Sequence, residues 1–312
     1  MSKIKGEGPA PSTLSDVFNG KSVPSRHTLR ALLKACGVDE AGQQPWLAAY
    51  ERVSTAGLRR PAGAVRVRDA DPRRLGVHAS IQVEAGADDL PTYVPRDFDA
   101  ELRTAVTVAS RAGGMVLLSG GSSVGKTRAL CETARAVLPE WWLLHPVDAA
   151  RVRAFAQTPA PRTVVWLDEL QRYLDQPEGL PAGLIRDLLA AGTVVLATLW
   201  PDEVATRSAP RVPGEQDRHA EDREVLKLAR IIDVPAAFSP AEWNRAEQLA
   251  GDGRIRIALQ HADPGVTQVL AAGPELIRRW QHAPTSQCYG QAVITWLCLR
   301  VVTPAAREFC FH

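Results

Sequence analysis

The chain has 312 residues, of which 45% are hydrophobic and 23% are charged, and its formal net charge is +2. These values are typical of a globular protein of about two domains, and they exclude a uniformly basic protein that binds polyanions over its whole surface. Five cysteines without paired spacing argue against a disulfide framework and against a zinc site.

The N-terminal part of the chain is basic. Residues 1–75 contain 13 Lys and Arg against 7 Asp and Glu, a balance of +6 that leaves −4 for the rest. Any nucleic-acid contact is therefore expected in this part. Apolar residues at helical spacing predict three short helices between residues 12 and 54, with breaks at Asn19-Gly20 and at Gly37, and Ser25 is the predicted N-cap of the second.

The middle of the chain alternates between strand and helix patterns. Residues 55–90 are rich in Arg, Ala, Gly and Pro without a sustained period, which predicts a linker with one short ordered piece near Leu75 to Val83. Beyond Asp97, short apolar runs alternate with helical stretches. The runs include Met115–Ser119, Thr163–Leu167 and Thr193–Leu199. This pattern predicts an α/β fold over residues 91–235, with a parallel sheet covered by helices on both faces.

The strand patterns stop at about residue 235. Ser239-Pro240-Ala241-Glu242 has the residues of a capping box with Pro at the first helical position, and it predicts a helix to about Leu249. Further helices are predicted near 253–261 and 274–281. Residues 236–312 are therefore expected to be helical.

One segment predicts a phosphate-binding loop. It fits the pattern G-x-x-x-x-G-K-[ST] without mismatch, and its residues are Gly120, Gly121, Ser122, Ser123, Val124, Gly125, Lys126 and Thr127. Its backbone N–H groups and the start of the following helix would bind the phosphates of ATP. Lys126 would contact the β- and γ-phosphates, and the Thr127 hydroxyl would be a ligand of Mg²⁺. A Gly/Ser-rich surface turn is the alternative, which the flanking strand and helix patterns disfavour.

Acidic residues follow a second buried strand. In a P-loop sheet the strand beside the P-loop strand delivers an acid near the metal, so Asp168 is predicted to hold Mg²⁺ and Glu169 to activate the attacking water. A solvated acidic turn is the alternative. Thr198, at the end of a third strand, is predicted to lie between the P-loop and Asp168 and to contact the γ-phosphate or the water.

Several arginines are candidates for a γ-phosphate sensor, each with an ordinary solvated side chain as the alternative. The candidates after the Thr198 strand are Arg207, Arg211, Arg218 and Arg223, and those late in the chain are Arg278 and Arg279. An arginine presented to a neighbouring subunit would require a homo-oligomer.

The P-loop and the Asp168-Glu169 pair together resemble the additional-strand catalytic-Glu division of P-loop NTPases, which includes the AAA+ and STAND families. Thr92 to Leu102 is similar to the box that precedes the P-loop there, although the usual Gly before Arg96 is missing. The resemblance implies that Arg96 belongs to the nucleotide site, beside the adenine. It also implies that residues 236–312 contain a helical lid.

Residues 1–54 include a second resemblance. Pro11 to Lys21, followed by the predicted helix from Leu29 to Gly37, looks like the back half of a Cro/repressor-type (Xre-like) helix-turn-helix. The resemblance implies DNA contact through residues 12–21 and a link to actinobacterial regulators. Only 11 residues precede Ser12, so the domain is expected to be partial or its start misplaced. A truncated tail is expected at the other end, with a short native helix as the alternative.

The expected protein is an ATP-binding, Mg²⁺-dependent ATPase that acts as a signalling switch. A DNA-binding transcriptional regulator with ATP as a structural or sensory ligand is the alternative. A small-molecule kinase is disfavoured because no acceptor site is evident. No apolar run reaches the roughly 18 residues that span a bilayer, and no secretory signal is present, so a cytoplasmic protein without a membrane partner is expected.

Overall fold

The computed structural model describes residues 26–58, 60–78, 80, 90–176, 178–211, 214, 216–261 and 265–271. Its strands are β1 (Val65–Arg66), β2 (Gly114–Ser119), β3 (Trp142–Leu144), β4 (Thr163–Leu167), β5 (Val194–Leu199) and β6 (Ala229–Asp233). Its helices are α1 (Arg26–Ala35), α2 (Glu40–Leu58), α3 (Asp99–Ala112), α4 (Lys126–Val137), α5 (Ala149–Ala156), α6 (Gln171–Leu174), α7 (Ala182–Ala190), α8 (Pro201–Ser208), α9 (Ala220–Lys227), α10 (Pro240–Gln248) and α11 (Gly253–Gln260). Residues 266–271 are also helical.

The strands form one sheet in the order β1-β3-β4-β5-β2-β6, in which all neighbours are parallel except β1 and β3. Every residue of β4 and β5 is buried, as expected for parallel strands that are covered on both faces. Helices α5, α6, α7 and α9 pack on one face, and α3 and α4 pack on the other. The predicted α/β fold is thus confirmed.

One expectation about the sheet is wrong. The strand that ends at Asp168 does not lie beside the P-loop strand, because β5 pairs with both β2 and β4 and separates them. Sequence periodicity identifies each buried strand but carries no information about its neighbours. The result places Thr198, at the end of β5, between the P-loop and Asp168.

The predicted linker contains ordered structure. Residues 64–78, which we call the N-terminal strap, begin with β1 on the edge of the sheet and continue through a 3₁₀ turn, Val67–Asp69. Val67, Leu75 and Val77 are buried in the same apolar cluster as α3 and α4. The strap is held mainly by backbone hydrogen bonds and scattered apolar contacts, so it has no period that the sequence pattern can reveal.

The N-terminal helices differ in part from their prediction. The second predicted helix corresponds to α1. The third is longer than expected and begins at Glu40, because the Asp39 side chain accepts a hydrogen bond from the Gly42 N–H at 2.7 Å. The first predicted helix and Ser25 lie outside the described residues.

The C-terminal helices pack beside the cleft at the end of the sheet. The predicted capping box is present at the start of α10, where Ser239 accepts from the Glu242 N–H and the Glu242 carboxylate accepts from the Ser239 N–H. Ile255 of α11 and Ala246 of α10 share a small apolar cluster with Val94. The predicted helix at 274–281 lies outside the described residues. Within the described part of the chain, no helix is long and apolar enough to cross a membrane.

Candidate functional site

The predicted P-loop joins the end of β2 to the start of α4. Ser123 (φ 58°) and Gly125 (φ 95°) have left-handed backbone conformations, which curl the loop over the first turn of α4. Such a conformation is strained for Ser123 and is readily adopted by glycine at 125. The loop therefore places successive backbone N–H groups at the positive end of a helix, which is an anion-binding arrangement.

Lys126 lies beneath the loop with only 7% of its surface exposed. Its ammonium group donates hydrogen bonds to the carbonyls of Gly120 and Gly121, at 2.7 and 2.6 Å. Burial lowers the pKa of Lys126, and the nearby carboxylates of Asp168 and Glu169 partly oppose this effect. The loop thus holds a largely buried cation at the bottom of the cleft.

Three oxygen-bearing side chains meet at the carboxyl end of the sheet. The Asp168 Oδ1 atom accepts one hydrogen bond from the Thr127 hydroxyl at 2.9 Å and another from the Thr198 hydroxyl at 2.8 Å. Thr127 belongs to the first turn of α4, whereas Asp168 and Thr198 lie at the ends of β4 and β5. The structure therefore brings these three residues together, while their predicted contacts with metal, phosphate and water stay predictions.

Glu169 has an unusual backbone. Its φ is 55°, and its N–H donates to the Thr198 hydroxyl oxygen at 2.8 Å. A left-handed conformation is unfavourable for a residue with a side chain, so it persists only where the surroundings hold it. This turn directs the Glu169 side chain to the wall of the cleft that also contains Lys126 and Asp168.

The cleft that contains these residues has a volume of about 1070 Å³, including its open mouth. Away from the P-loop its walls are mainly apolar, and they include Leu90, Val94, Phe238 and Leu270. The cleft therefore has a polar end and an apolar end.

Arg96 lines this cleft, but its guanidinium group is buried and bonded to other parts of the protein. It donates to the carbonyls of Val124 and Pro235 at 3.1 and 2.9 Å, and its Nε atom lies 2.9 Å from Glu242. The ring of Phe238 lies 4.7 Å from it. Arg96 therefore links the P-loop to α10, and a direct contact with nucleotide stays a prediction.

Several residues that line the cleft are not indicated by any sequence motif. Gly76 and His78 belong to the strap, Phe238 directly precedes the N-cap of α10, and Thr267 lies in the helical residues 266–271. Phe238 was detectable in principle, because an apolar residue directly before an N-cap often packs on the helix that follows. Gly76 and His78 carry no comparable sequence signal.

The arginine candidates have different surroundings. Arg207 is almost completely buried and pairs with Asp175, Glu203 and Asp222, so the alternative of a solvated side chain is wrong for it. Hydrogen bonds to these carboxylates outweigh burial and raise the pKa of Arg207, although burial is the largest single influence.

The remaining arginines differ from Arg207. Arg223 pairs with Asp217, whereas Arg211 and Arg218 are exposed. Arg278 and Arg279 lie outside the described residues.

The donor atoms fit a bound Mg²⁺ ion. The Thr127 hydroxyl and the Asp168 carboxylate supply only oxygen, the donor that Mg²⁺ prefers, and few protein ligands suffice where phosphates and water complete the shell. Among the described residues, no cluster of three or more His, Cys, Asp or Glu side chains forms a metal site. A metal held by protein alone is therefore not supported in this part of the chain.

The six-stranded, mostly parallel sheet and its covering helices form a mixed α/β fold, which is consistent with the P-loop NTPase type. No family model matches the chain, and none of the curated proteins is similar to it in sequence. Among solved structures, it is similar to a chain of the S. cerevisiae Hsp104:casein complex in its extended conformation, with a TM-score of 0.40 and 13% identity. The similarity covers 78% of this chain and 41% of that chain, so this chain spans less than half the length of the Hsp104 chain.

Proposed function

We propose that this protein binds ATP with Mg²⁺ and hydrolyses it, and that the hydrolysis resets a conformational switch. The main support is the hydrogen-bonded chain Thr127–Asp168–Thr198, which stands beside the buried Lys126 at the polar end of the cleft. A surface turn would have no reason to bury a lysine or to align two hydroxyls on one carboxylate.

Each residue has a role that follows from its position. The loop N–H groups and Lys126 bind the phosphates, and the apolar end of the cleft accepts the base. Thr127 and Asp168 hold the metal, Asp168 most simply through water. When bound, Mg²⁺ would neutralise charge on the β- and γ-phosphate oxygens. Glu169 orients a water molecule and accepts its proton.

The proposal is tested by separating binding from turnover. Lys126→Ala should abolish ATP binding measured by calorimetry, because the buried cation beneath the loop is lost. Glu169→Gln should keep ATP affinity within about twofold and reduce turnover by about 100-fold or more, the usual contribution of a general base.

Matched controls are available on α9. Lys227 and Glu224 form an exposed ion pair with each other, so Lys227→Ala and Glu224→Gln change the same groups away from the cleft. Both controls should bind and turn over ATP as the wild type does. Equal ATP affinity of wild type and Lys126→Ala would reject the site assignment. Turnover that rises sharply with an added metabolite would favour a kinase instead.

A second function, DNA binding, is favoured by the charge on α1. Arg26, Arg30 and Lys34 are exposed and spaced four residues apart, so they lie on one face of this helix. A row of cations on a helix suits contact with phosphates of a nucleic acid. The segment that is predicted to contact DNA, residues 12–21, lies outside the described residues.

A mobility-shift assay across a salt series tests this second function. Arg30→Glu with Lys34→Glu should weaken binding and reduce the dependence of log affinity on log salt, because fewer counterions are released. The same substitutions should leave ATP binding unchanged. No shift by the wild-type protein at low salt would reject DNA binding, and measurements with and without ATP show whether nucleotide controls it.

A further inference from the structure

The N-terminal strap reaches the carboxyl end of β4 at Gly76, next to the proposed metal site. Two side chains hold the strap, because the Arg135 guanidinium of α4 donates to the Ala70 carbonyl at 2.7 Å and the Trp166 indole N–H of β4 donates to the Leu75 carbonyl at 3.0 Å. Trp166 is completely buried in β4, two residues before Asp168. The strap backbone at residues 75–77 is therefore fixed relative to Asp168.

Gly76 touches the Asp168 carboxylate directly. A Cβ atom built at Gly76 would lie 2.2 Å from Asp168 Oδ2, closer than real Cβ contacts allow, and 3.1 Å from its Cγ, tighter than most real Cβ contacts. The nearest other atom would be the Thr127 methyl group at 3.6 Å. Gly76 also has φ 95°, a left-handed conformation that favours glycine. Glycine is therefore the residue that this position of the strap accommodates beside the Asp168 carboxylate.

The two oxygens of Asp168 thus have different surroundings. Oδ1 accepts from the hydroxyls of Thr127 and Thr198, whereas Oδ2 faces the Gly76 backbone. The strap closes one side of the carboxylate and leaves the side with Oδ1 turned towards the P-loop. The carboxylate is held from opposite sides by elements that are far apart in the sequence.

We propose that Gly76 is a positioning residue for the metal site, and that it holds the Asp168 carboxylate in the orientation that Mg²⁺·nucleotide binding requires. This inference rests on the proposed function. A side chain at position 76 must displace the Asp168 carboxylate or lift the strap. In either case the alignment of Asp168 with Thr127 is lost, while the loop N–H groups and Lys126 are untouched.

The first experiment measures ATP affinity with Mg²⁺ and with EDTA in Gly76→Ala and wild-type protein. The substitution should reduce the ratio of ATP affinity with Mg²⁺ to ATP affinity in EDTA by about 10-fold or more, the usual cost of losing an outer-shell partner of a metal. Affinity in EDTA should change less than about twofold, a difference worth under half a kcal/mol. A general structural defect would weaken both affinities together.

Gly192→Ala is the matched control, because Gly192 also has a left-handed backbone, with φ 81°, but its Cβ would meet nothing within 4 Å. This variant carries the same kind of backbone strain away from the cleft, and its Mg²⁺ preference should equal that of the wild type. An unchanged Mg²⁺ preference in Gly76→Ala would overturn the inference.

A second experiment needs no nucleotide and therefore separates this inference from the proposed function. Thermal unfolding is measured for Gly76→Ala, Asp168→Ala and the double variant. Gly76→Ala should lose more stability than Gly192→Ala, and the excess measures the clash with Asp168. In the double variant, Asp168→Ala should recover most of this excess, since it removes the atoms that clash. Additive losses would overturn the inference even if ATP binds. Strong coupling between the two substitutions, in a protein whose wild type does not bind ATP, would support the Gly76–Asp168 contact and reject the proposed ATPase activity.

Discussion

At the scale of single residues, Thr198 joins two of the groups on which the proposed chemistry depends. Its hydroxyl donates to Asp168 and accepts from the Glu169 N–H. The first bond orients the carboxylate and the second stabilises the left-handed turn at Glu169. Thr198 therefore positions both Asp168 and Glu169, and its predicted contact with the γ-phosphate or the water stays a prediction.

Replacing Thr198 with Val keeps the shape of the side chain and removes both bonds. The partly buried Glu169 N–H then lacks this hydrogen-bond partner, so the free energy of unfolding should fall by about 1–3 kcal/mol. ATP turnover should fall more than ATP affinity, because the orientation of Glu169 is disturbed. Urea unfolding and steady-state kinetics measure these effects.

Thr193→Val is the matched control for this prediction. Thr193 directly precedes the same strand and is fully buried, but its hydroxyl has no hydrogen-bond partner among the residues that the structure describes. Its replacement by Val should be neutral or stabilising. Equal losses in the two variants would contradict the importance that we assign to the Thr198 bonds.

At the scale of elements, Asp252 attaches α11 to the segment before α3. Its carboxylate accepts from the N–H groups of Thr92 and Arg254, and it pairs with the Arg254 side chain at 2.9 Å. The hydrogen bond from the Arg254 side chain is the main reason that the pKa of Asp252 is lowered to about 2 from 3.8, and burial opposes it. One carboxylate thus caps a helix and also accepts a hydrogen bond from a residue 160 positions earlier in the sequence.

This lowered pKa predicts how the loss of stability in Asp252→Asn depends on pH. The ionised carboxylate stabilises the folded state above pH 3.8, and this contribution is lost as the pH falls from 3.8 to about 2. The variant should be less stable than the wild type at neutral pH, and the difference should shrink through that window. Urea unfolding at a series of pH values measures it, and a difference that is constant with pH would contradict the prediction.

At the scale of the whole molecule, Arg96 connects three parts of the protein. It donates hydrogen bonds to the carbonyls of Val124 in the predicted P-loop and of Pro235 after β6, and it forms an ion pair with Glu242 in α10. Glu242 in turn accepts from the N–H groups of Asp97 and Ser239. A shift of the P-loop on nucleotide binding would therefore be transmitted to the C-terminal helices through buried, charge-assisted bonds.

Arg96→Met should lower the free energy of unfolding by about 3 kcal/mol or more, because it leaves the buried Glu242 carboxylate unpaired. Arg103→Met, at an exposed position on α3, should change it by no more than about 0.5 kcal/mol. Denaturant unfolding measures both. Combining Arg96→Met with Glu242→Gln should cost less than the sum of the two single changes, and strict additivity would contradict the pairing.

The sequence by itself determined the features that depend on neighbours along the chain. The P-loop is recognisable because its glycines, Lys126 and the start of α4 lie within eight residues. The capping box of α10 joins Ser239 to Glu242, three residues apart. The buried strands show as continuous apolar runs because both faces of a parallel sheet are covered.

Only the tertiary structure decided the features that depend on pairing between distant segments. It placed β5 between β2 and β4, turned the Arg96 guanidinium away from solvent and laid Gly76 against Asp168. These contacts depend on backbone geometry and on single side chains. Such contacts do not recur at a regular spacing, so they leave no pattern in the sequence. The local motifs predicted which groups could bind nucleotide and metal, and the long-range packing decided how those groups are held.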